Sequence, residues 1–243
     1  MIFPPILALA LSGCASLTPV DRINDGVNDP FEAQNRKVHA FNKGLDKTVV
    51  KPASSAYAAV APAPVRAVVS NASRNLSLPA TTVNSLLQGD LRGAGIASSR
   101  FLLNSTLGLA GLFDPASDLG IPPHETDFGQ TLAVWGAPQG AYLELPFFGP
   151  SSERAAWGRL VDMVTNPLDY EFDASEKAIK STAGALSALG SRAKFGSSID
   201  SILYDSADSY AQTRLFYLES RKFQLGSVEP TNADDPYDDP YAE

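Results

Sequence analysis

The segment NDPFEAQNRKVHAFNKGLDKTVVKP, residues 28–52, has the pattern of a long amphipathic helix. Asp29 is a favourable N-cap, Pro30 suits the first helical position, and Glu32 completes a capping box. At about 100° per residue, apolar and basic side chains fall on opposite faces. The apolar residues are Phe31, Val38, Phe41, Leu45 and Val49, and the basic residues are Arg36, Lys43, Lys47 and Lys51. Such a helix suits a membrane interface and a surface helix on a protein core equally well.

Helical spacing dominates the rest of the chain, so the predicted fold class is mainly α. Pro62 and Pro64 interrupt the chain before a helix over 65–76, and a second helix follows Pro79 and closes near Gly89. Further helices are predicted over 150–167, from the capping pair Asp173 and Glu176 to about Phe195, and over 198–225 up to Gly226. Between them, extended pieces at 132–135 and 142–145 predict one short hairpin.

The segment DLRGAGIASSRFLLNSTLGLAGLFDP, residues 90–115, combines small residues with an apolar second half. Small residues let helices approach closely. The apolar half, 101–113, is too short to span a bilayer, and it suits either a re-entrant segment or a buried helix and turn. General frequencies favour the buried helix and turn. In the first helix, Gly44 is expected to weaken or kink the backbone.

The only cysteine, Cys14, directly follows a short apolar run. The sequence LSGC at 11–14 is similar to the lipobox at which bacterial lipoproteins are cleaved and lipidated. We therefore expect a signal peptide over 1–13 and a lipidated linker over 14–27. Residues 1–13 contain no Lys or Arg, so we expect a basic n-region to precede them. Ala15 and Ser16 lack the Asp that retains such lipoproteins in the inner membrane, which predicts the outer membrane.

Composition excludes several function classes. The net charge of −8 argues against nucleic acid as the main partner, and a single cysteine excludes disulfides and Cys-rich zinc sites. No run reaches the roughly 18 apolar residues of a spanning helix. The tail EPTNADDPYDDPYAE, residues 229–243, is acidic and rich in proline, so we expect it to be disordered.

Catalysis has little support in the sequence. His39 and His124 are far apart, and neither sits in a cluster with metal-ligand spacing. A serine acting with His124 in the loop PHETDFG is the only faint nucleophile and base pair. We therefore predict no catalytic residue, no metal and no cofactor.

Five motifs resemble the VacJ/MlaA family of outer-membrane lipoproteins. In chain order they are NDPFEAQNRKVHAFNKGLDKTVVKP, RNLSLPATTVNSLLQGD, SRFLLNSTLGLAGLFDPASDLGIP, DFGQTLAVWGAPQGAYLELPFFGPSSER and SYAQTRLFYLESRKF. The likeness covers about 28–226, which predicts a single helical domain over 28–228. One departure is Arg154-Ala155-Ala156, where many members have Arg-Asp followed by Gly.

The resemblance implies a fold and a function. It implies a compact, ring-like helical body with amphipathic helices embedded in the inner leaflet of the outer membrane, and a channel for phospholipid. Mislocalised phospholipid would leave the outer leaflet and pass to a soluble periplasmic carrier, which maintains lipid asymmetry. The implied partners are phospholipid, a trimeric porin and the carrier, and no covalent chemistry is implied.

A phospholipid needs a polar route for its headgroup and an apolar surface for its tails. The candidates for this lipid path are Phe31, Asn35, Arg36, Phe41, Asn42, Leu45, Arg100, Phe101 and Asn104. For each arginine the alternative is an ordinary surface or capping role. The candidates for tight or flexible turns are Gly108, Gly111 and Gly129.

Three functions remain open at this point. The first is lipid transfer without catalysis, which the family likeness and the amphipathic segments favour. The second is a structural lipoprotein that scaffolds porins or the envelope. The third, and least supported, is a lipid hydrolase that uses His124.

Overall fold

The computed structural model describes residues 27–226. Within that range the backbone forms eleven α-helices, two π-helical segments and one antiparallel pair of short strands. The helices are α1 Glu32–Leu45, α2 Lys51–Val60, α3 Ala63–Leu87, α4 Leu91–Thr106, α5 Pro115–Asp118, α6 Phe128–Val134, α7 Glu153–Thr165, α8 Leu168–Glu171, α9 Ala174–Lys194, α10 Gly196–Asp200 and α11 Ser209–Gln224. The strands are β1 Tyr142–Leu145 and β2 Gly149–Ser152, and the π-helical segments are Asp46–Val50 and Ser201–Asp205.

The predicted mainly α class is confirmed, and one short hairpin is present. The predicted signal peptide over 1–13, the lipidation of Cys14 and the acidic tail over 229–243 lie outside the described residues. They remain predictions, as does the ring-like shape of the body.

The first helix begins later than its capping pattern predicts. α1 starts at Glu32, with Phe31 at the N-cap position and no side-chain capping bond. The Asp29 carboxylate instead accepts hydrogen bonds from Asn35 Nδ2 at 2.9 Å and Arg214 Nη1 at 2.7 Å. The capping box is therefore replaced by one bond from within α1 and one from the distant α11.

The helical run also extends beyond its predicted end. The backbone passes from α1 through the π-helical segment Asp46–Val50 into α2 without a break, and α2 ends at Val60 before Pro62 and Pro64. The π-helical turn begins two residues after Gly44, close to the predicted weak point.

α3 is one helix through Pro79, where two helices were predicted. Proline removes one backbone hydrogen bond and usually ends or kinks a helix. Here α3 packs against α4 and α9, and these contacts hold it on both sides of Pro79. Tertiary packing thus overrides the local signal.

The hairpin contains only one of the two predicted strands. β1 occupies the predicted 142–145, but it pairs with β2, with Tyr142 opposite Ser152 and Leu145 opposite Gly149. The predicted strand over 132–135 is instead the end of α6 and the residues after it. α6 forms because the Asp127 side chain caps it by accepting a hydrogen bond from Gln130 N at 2.8 Å.

The C-terminal half follows its prediction in part. The capping box of Asp173 and Glu176 starts α9, as predicted, and α9 ends at Lys194. The predicted single helix over 198–225 is divided into α10, a π-helical segment and α11. Asp208 adopts extended backbone and caps α11 through a hydrogen bond from Ala211 N at 3.1 Å, which explains the break.

Polar side chains form much of the core. Tyr142 is the largest fully buried side chain among the described residues, and its hydroxyl donates to Glu144 Oε2 at 2.5 Å. Asn35 of α1 donates to the carbonyl of Tyr142 and accepts from Glu144 N, both at 3.0 Å. The His39 ring packs edge-on against Tyr210, with ring centroids 5.7 Å apart. These contacts join α1, the hairpin and α11.

Candidate functional site

One face of α3 is lined by polar side chains that are buried rather than exposed to water. Asn75, Thr81, Asn84 and Ser85 are all less than 9% exposed. Buried polar groups normally require hydrogen-bond partners, and Asn84 has two, since it donates to Asp162 Oδ1 and accepts from Thr131 Oγ1, both at 3.0 Å.

Three cavities share lining residues in sequence, and we call them together the polar path; α3 lines the first two. The first, of about 30 Å³, lies between α3, α4 and the loop before α6. The second, of about 340 Å³, lies between α3, α6, α7 and α11, and it shares Ser77 and Glu125 with the first. The third, of about 550 Å³, lies between α7, α8 and α9 and shares Asp162 with the second.

The narrow end of the polar path is held by a buried ion pair. Arg100 Nη2 lies 2.8 Å from Asp114 Oδ2, and Asn104 Nδ2 donates to Asp114 Oδ1 at 2.9 Å. Burial would raise the pKa of Asp114, but hydrogen bonds from Ser117 and Asn104 and the charge of Arg100 outweigh it and hold the pKa below its ordinary value. Arg100 also donates to the carbonyl of Ile121.

The middle of the polar path contains one paired and one unpaired carboxylate. Arg221 Nη1 lies 2.9 Å from Asp127 Oδ2. Asp162 has no cation partner among the described residues, and it accepts hydrogen bonds from Phe128 N and Asn84 Nδ2, both at 3.0 Å. Burial raises the pKa of Asp162, and these two hydrogen bonds only partly oppose that rise.

The wide end of the polar path combines cations with apolar side chains. Its lining includes Arg159, Lys177 and Lys180 beside Phe148 and Met163. The Arg159 guanidinium carbon lies 5.6 Å from the centre of the Phe148 ring, within cation–π range.

Many large apolar side chains are exposed on α7, which lines two of the cavities, and in the turns that follow α4 and β1. On α7 they are Trp157, Leu160, Met163 and Val164; in the turn after α4 they are Leu107, Leu109, Leu112 and Phe113; after β1 they are Phe147 and Phe148. We call these residues the apolar rim. Exposed apolar patches of this extent mark contact with lipid or with another protein. Within residues 27–226, no helix is both long and apolar enough to cross a membrane.

The predicted lipid-path residues of α4 lie at the narrow end of the polar path. Arg100 and Asn104 line the first cavity, but both are buried and bonded within the protein. Their functional groups are therefore already occupied in this structure. Phe101, next to Arg100, is half-buried.

The predicted lipid-path residues of α1 lie elsewhere, against the hairpin and α11. Asn42 donates to the carbonyl of Leu145 at 3.0 Å and accepts from Phe147 N at 2.9 Å. Phe41 packs edge-on against Phe147, with ring centroids 5.4 Å apart. Phe31 and Leu45 are half-buried.

Arg36, the basic candidate of α1, already has two carboxylate partners. Its Nε lies 2.7 Å from Glu32 Oε1 and its Nη2 lies 2.9 Å from Asp208 Oδ2. None of the α1 candidates is among the described residues that line the three cavities. The structure therefore does not bring the two predicted groups together.

The glycine candidates have different roles. Gly108 and Gly111 lie in the turn after α4, where Gly111 has φ of +87° and follows Leu109 and Ala110, at +50° and +59°. Gly129 does not lie in a turn, because it is part of α6. It allows close approach to α7, since a Cβ on Gly129 would lie 3.2 Å from Ala155 Cα of that helix.

The predicted serine and histidine pair exists but lacks the geometry of a catalytic triad. Ser85 Oγ lies 3.1 Å from His124 Nε2, and Asp90 Oδ2 lies 3.6 Å from the same nitrogen. In a triad the nucleophile and the carboxylate contact opposite nitrogens of the ring. Ser85 is also fully buried. The described residues contain no group of His, Cys, Asp and Glu that is placed to hold a metal.

Sequence reasoning missed most residues of the polar path. On α3, Asn71 and Asn75 are four residues apart and Thr81 and Asn84 are three apart, and these two polar pairs at helical spacing could have been found in the sequence. Arg159 had no such signal, because nothing in its local sequence distinguishes it from a surface arginine.

Comparison with known proteins relates this geometry to a family. A family model described as MlaA lipoprotein matches residues 27–224. A protein of Escherichia coli (strain K12), named intermembrane phospholipid transport system lipoprotein MlaA, is 32% identical over 233 residues, which cover 93% of this chain and 88% of that protein. An uncharacterized protein of Rickettsia felis is 39% identical over 145 residues, which cover 59% of this chain and 58% of that protein's length. A solved structure, described as the structural basis for maintenance of bacterial outer membrane lipid asymmetry, matches with a TM-score of 0.70 and 31% identity, over 81% of this chain and 98% of that one.

Proposed function

This chain belongs to the MlaA lipoprotein family, and from that we infer that it is the outer-membrane lipoprotein of an intermembrane phospholipid transport system. Its role is to maintain lipid asymmetry by removing mislocalised phospholipid from the outer leaflet. It works by binding and transfer, with no covalent chemistry and no cofactor.

The observation that carries this proposal is the polar path bordered by the apolar rim. A phospholipid headgroup needs polar and charged partners, because moving it through hydrocarbon is costly. The acyl chains need an apolar surface close to that route. Arg159 and Phe148 at the wide cavity place both kinds of surface side by side.

The finer steps of the proposal concern location and partners. A lipid on Cys14 anchors the protein to the inner leaflet of the outer membrane, with its body facing the periplasm. A trimeric porin holds the protein in the membrane, and a soluble periplasmic carrier receives the phospholipid.

A second candidate function is a scaffold that binds porins without carrying lipid. Phe41 and Phe147 favour it, because they are 49% and 71% exposed, contact each other and line none of the three cavities. An exposed aromatic pair of this kind is a typical protein contact.

Purification of the tagged full chain from its own outer membranes in mild detergent distinguishes the two functions. Mass spectrometry of the co-purifying lipids and proteins should find intact glycerophospholipid together with a porin. Porin with phospholipid only at the level of a detergent control would favour the scaffold. Excess lysolipid and fatty acid would instead indicate a hydrolase.

A further inference from the structure

Within residues 27–226, Arg159 of α7 is a charged side chain without a matching acceptor. Its Nη1 atom is buried and has no hydrogen-bond partner among the described residues. The guanidinium contacts the Phe148 ring, which is a weaker partner for a cation than a carboxylate or a phosphate. A guanidinium has five N–H donors, and leaving a donor buried and unpaired is costly. The arrangement suits an anion that enters the cavity from outside.

The other charges of this cavity do not neutralise Arg159. Asp169 accepts from Lys180 Nζ at 2.7 Å. Asp162 is directed to Phe128 N and Asn84 Nδ2, as described above. Lys177 also lines the cavity and forms no ion pair within residues 27–226. Three cations therefore line this cavity with two carboxylates, and within residues 27–226 neither carboxylate forms an ion pair with Arg159.

The apolar rim of α7 begins beside this charged cavity. At about 100° per residue, Met163 lies between the face that carries Arg159 and the stripe formed by Trp157, Leu160 and Val164. Met163 lines the cavity, and the three stripe residues are 54–63% exposed. An anion held by Arg159 would thus lie next to an uncovered apolar surface.

We propose that this cavity binds the phosphodiester group of a glycerophospholipid. Arg159 donates in a forked arrangement to two phosphate oxygens, and Lys177 is the second cation. The acyl chains extend over Met163 onto Leu160 and Val164. The inference rests on the proposed function, and it names the site within the polar path where the headgroup is held. Free phosphate is also an anion, but it has no acyl chains that would contact the apolar stripe.

Fluorescence of Trp157 tests this site directly. The chain has two tryptophans, so Trp135→Phe in the full-length protein leaves Trp157 as the only reporter. The probe is phosphatidylglycerol with brominated acyl chains in mild detergent, and brominated diacylglycerol measures quenching without a phosphate. Phosphatidylglycerol should quench Trp157 at lower concentration than diacylglycerol does.

The deciding variant is Arg159→Gln, with Arg92→Gln as the matched control on exposed α4 surface. Arg159→Gln should raise the half-quenching concentration of phosphatidylglycerol about tenfold or more, because charge-assisted hydrogen bonds are lost. Arg92→Gln should leave it unchanged. Circular dichroism checks that both variants fold. If Arg159→Gln does not fold, Lys177→Gln on the exposed face of α9 should weaken binding in the same direction.

Two outcomes would overturn the inference. Equal half-quenching concentrations for Arg159→Gln and the parent protein would show that the headgroup is bound elsewhere. Competition by inorganic phosphate, with brominated phosphatidylglycerol no better than diacylglycerol, would identify a free-phosphate site. In either case, phospholipid that co-purifies with the unmodified protein would leave the proposed function standing, whereas its absence would remove the proposed function itself.

Discussion

Arg100 and Arg159 are both arginines beside a cavity, but their surroundings give them different roles. Arg100 donates to both oxygens of Asp114, at 2.9 and 2.8 Å, and its side chain is only 8% exposed. Arg159 has an aromatic ring as its neighbour and no carboxylate partner among the described residues. Substitution of Arg100 should therefore affect stability first, and substitution of Arg159 should affect ligand binding first.

We predict that Asp114→Asn lowers the free energy of unfolding by about 3 kcal/mol at neutral pH, because the buried Arg100 loses its counterion. The folded-state pKa of Asp114 is depressed. Its stabilising contribution is therefore complete above the unfolded-state pKa of about 3.9 and is lost as the pH falls through the folded-state value. The difference in the free energy of unfolding between Asp114→Asn and the parent protein should thus become smaller below about pH 4.

Urea denaturation across this pH range measures both effects. Asp118→Asn is the matched control, because Asp118 lies in the same short helix, is exposed and makes no ion pair among the described residues. The control should change stability little. If the loss in the free energy of unfolding caused by Asp114→Asn stayed constant down to about pH 3, the Asp114 carboxylate would not be the counterion of Arg100.

At the scale of elements, the approach of α6 to α7 depends on two glycines. A Cβ at Gly158 would lie 2.3 Å from Gly129 N and 2.6 Å from Gly129 Cα. These are backbone atoms, so no side chain can move aside to relieve the contact. Asp127 is the N-cap of α6 and Arg159 lies on α7, so the spacing of these helices sets the relative position of two residues that line the polar path.

We predict that Gly158→Ala lowers the free energy of unfolding by about 3 kcal/mol, because the added methyl group forces the two helices apart. The matched control is Gly184→Ala in α9, where no described atom lies within 4 Å of the new Cβ. That control should raise stability by about 0.5–1 kcal/mol, since alanine restricts the unfolded chain and favours the helix. Thermal or urea unfolding measures the change in stability of both variants. Equal changes for Gly158→Ala and Gly184→Ala would rule out the close contact between α6 and α7 at Gly158.

At the scale of the whole molecule, one ion-pair network joins the two π-helical segments. Arg192 of α9 pairs with Asp46 Oδ2 at 2.8 Å and with Asp200 Oδ1 at 2.7 Å. Lys51 adds a second cation to Asp200 at 2.8 Å, and the Tyr204 hydroxyl donates to Asp46 at 2.7 Å. Residues about 150 positions apart are thereby held together, which ties the start of the domain to its end.

We predict that Arg192→Met lowers the free energy of unfolding by about 3–5 kcal/mol, because Asp46 is left largely buried without its cation. The double variant Arg192→Met, Asp46→Leu should recover part of this loss, since no unpaired charge remains. Lys47→Met, on the exposed side of the same π-helical segment, is the control and should have little effect. Chemical denaturation gives the free energies of unfolding of the single and double variants. A double variant that is no more stable than Arg192→Met would argue against a specific ion pair between Arg192 and Asp46.

Local sequence signals determined the helical class, many helix boundaries and the family. The capping box of Asp173 and Glu176 and the interruption at Pro62 and Pro64 were predicted correctly, because each depends on neighbouring residues. The motifs that resemble the family are likewise contiguous in the sequence, and the family model confirms them.

Only the tertiary structure decided the features that depend on distant residues. α3 continues through Pro79 because α4 and α9 pack against it. Asp29 pairs with Arg214 of α11 instead of capping α1. The same holds for the arginines: Arg100 forms an ion pair with a carboxylate, and Arg159 forms none within residues 27–226. Burial and counterions arise from contacts between segments far apart in the chain, so no local pattern specifies which charge is left for a ligand.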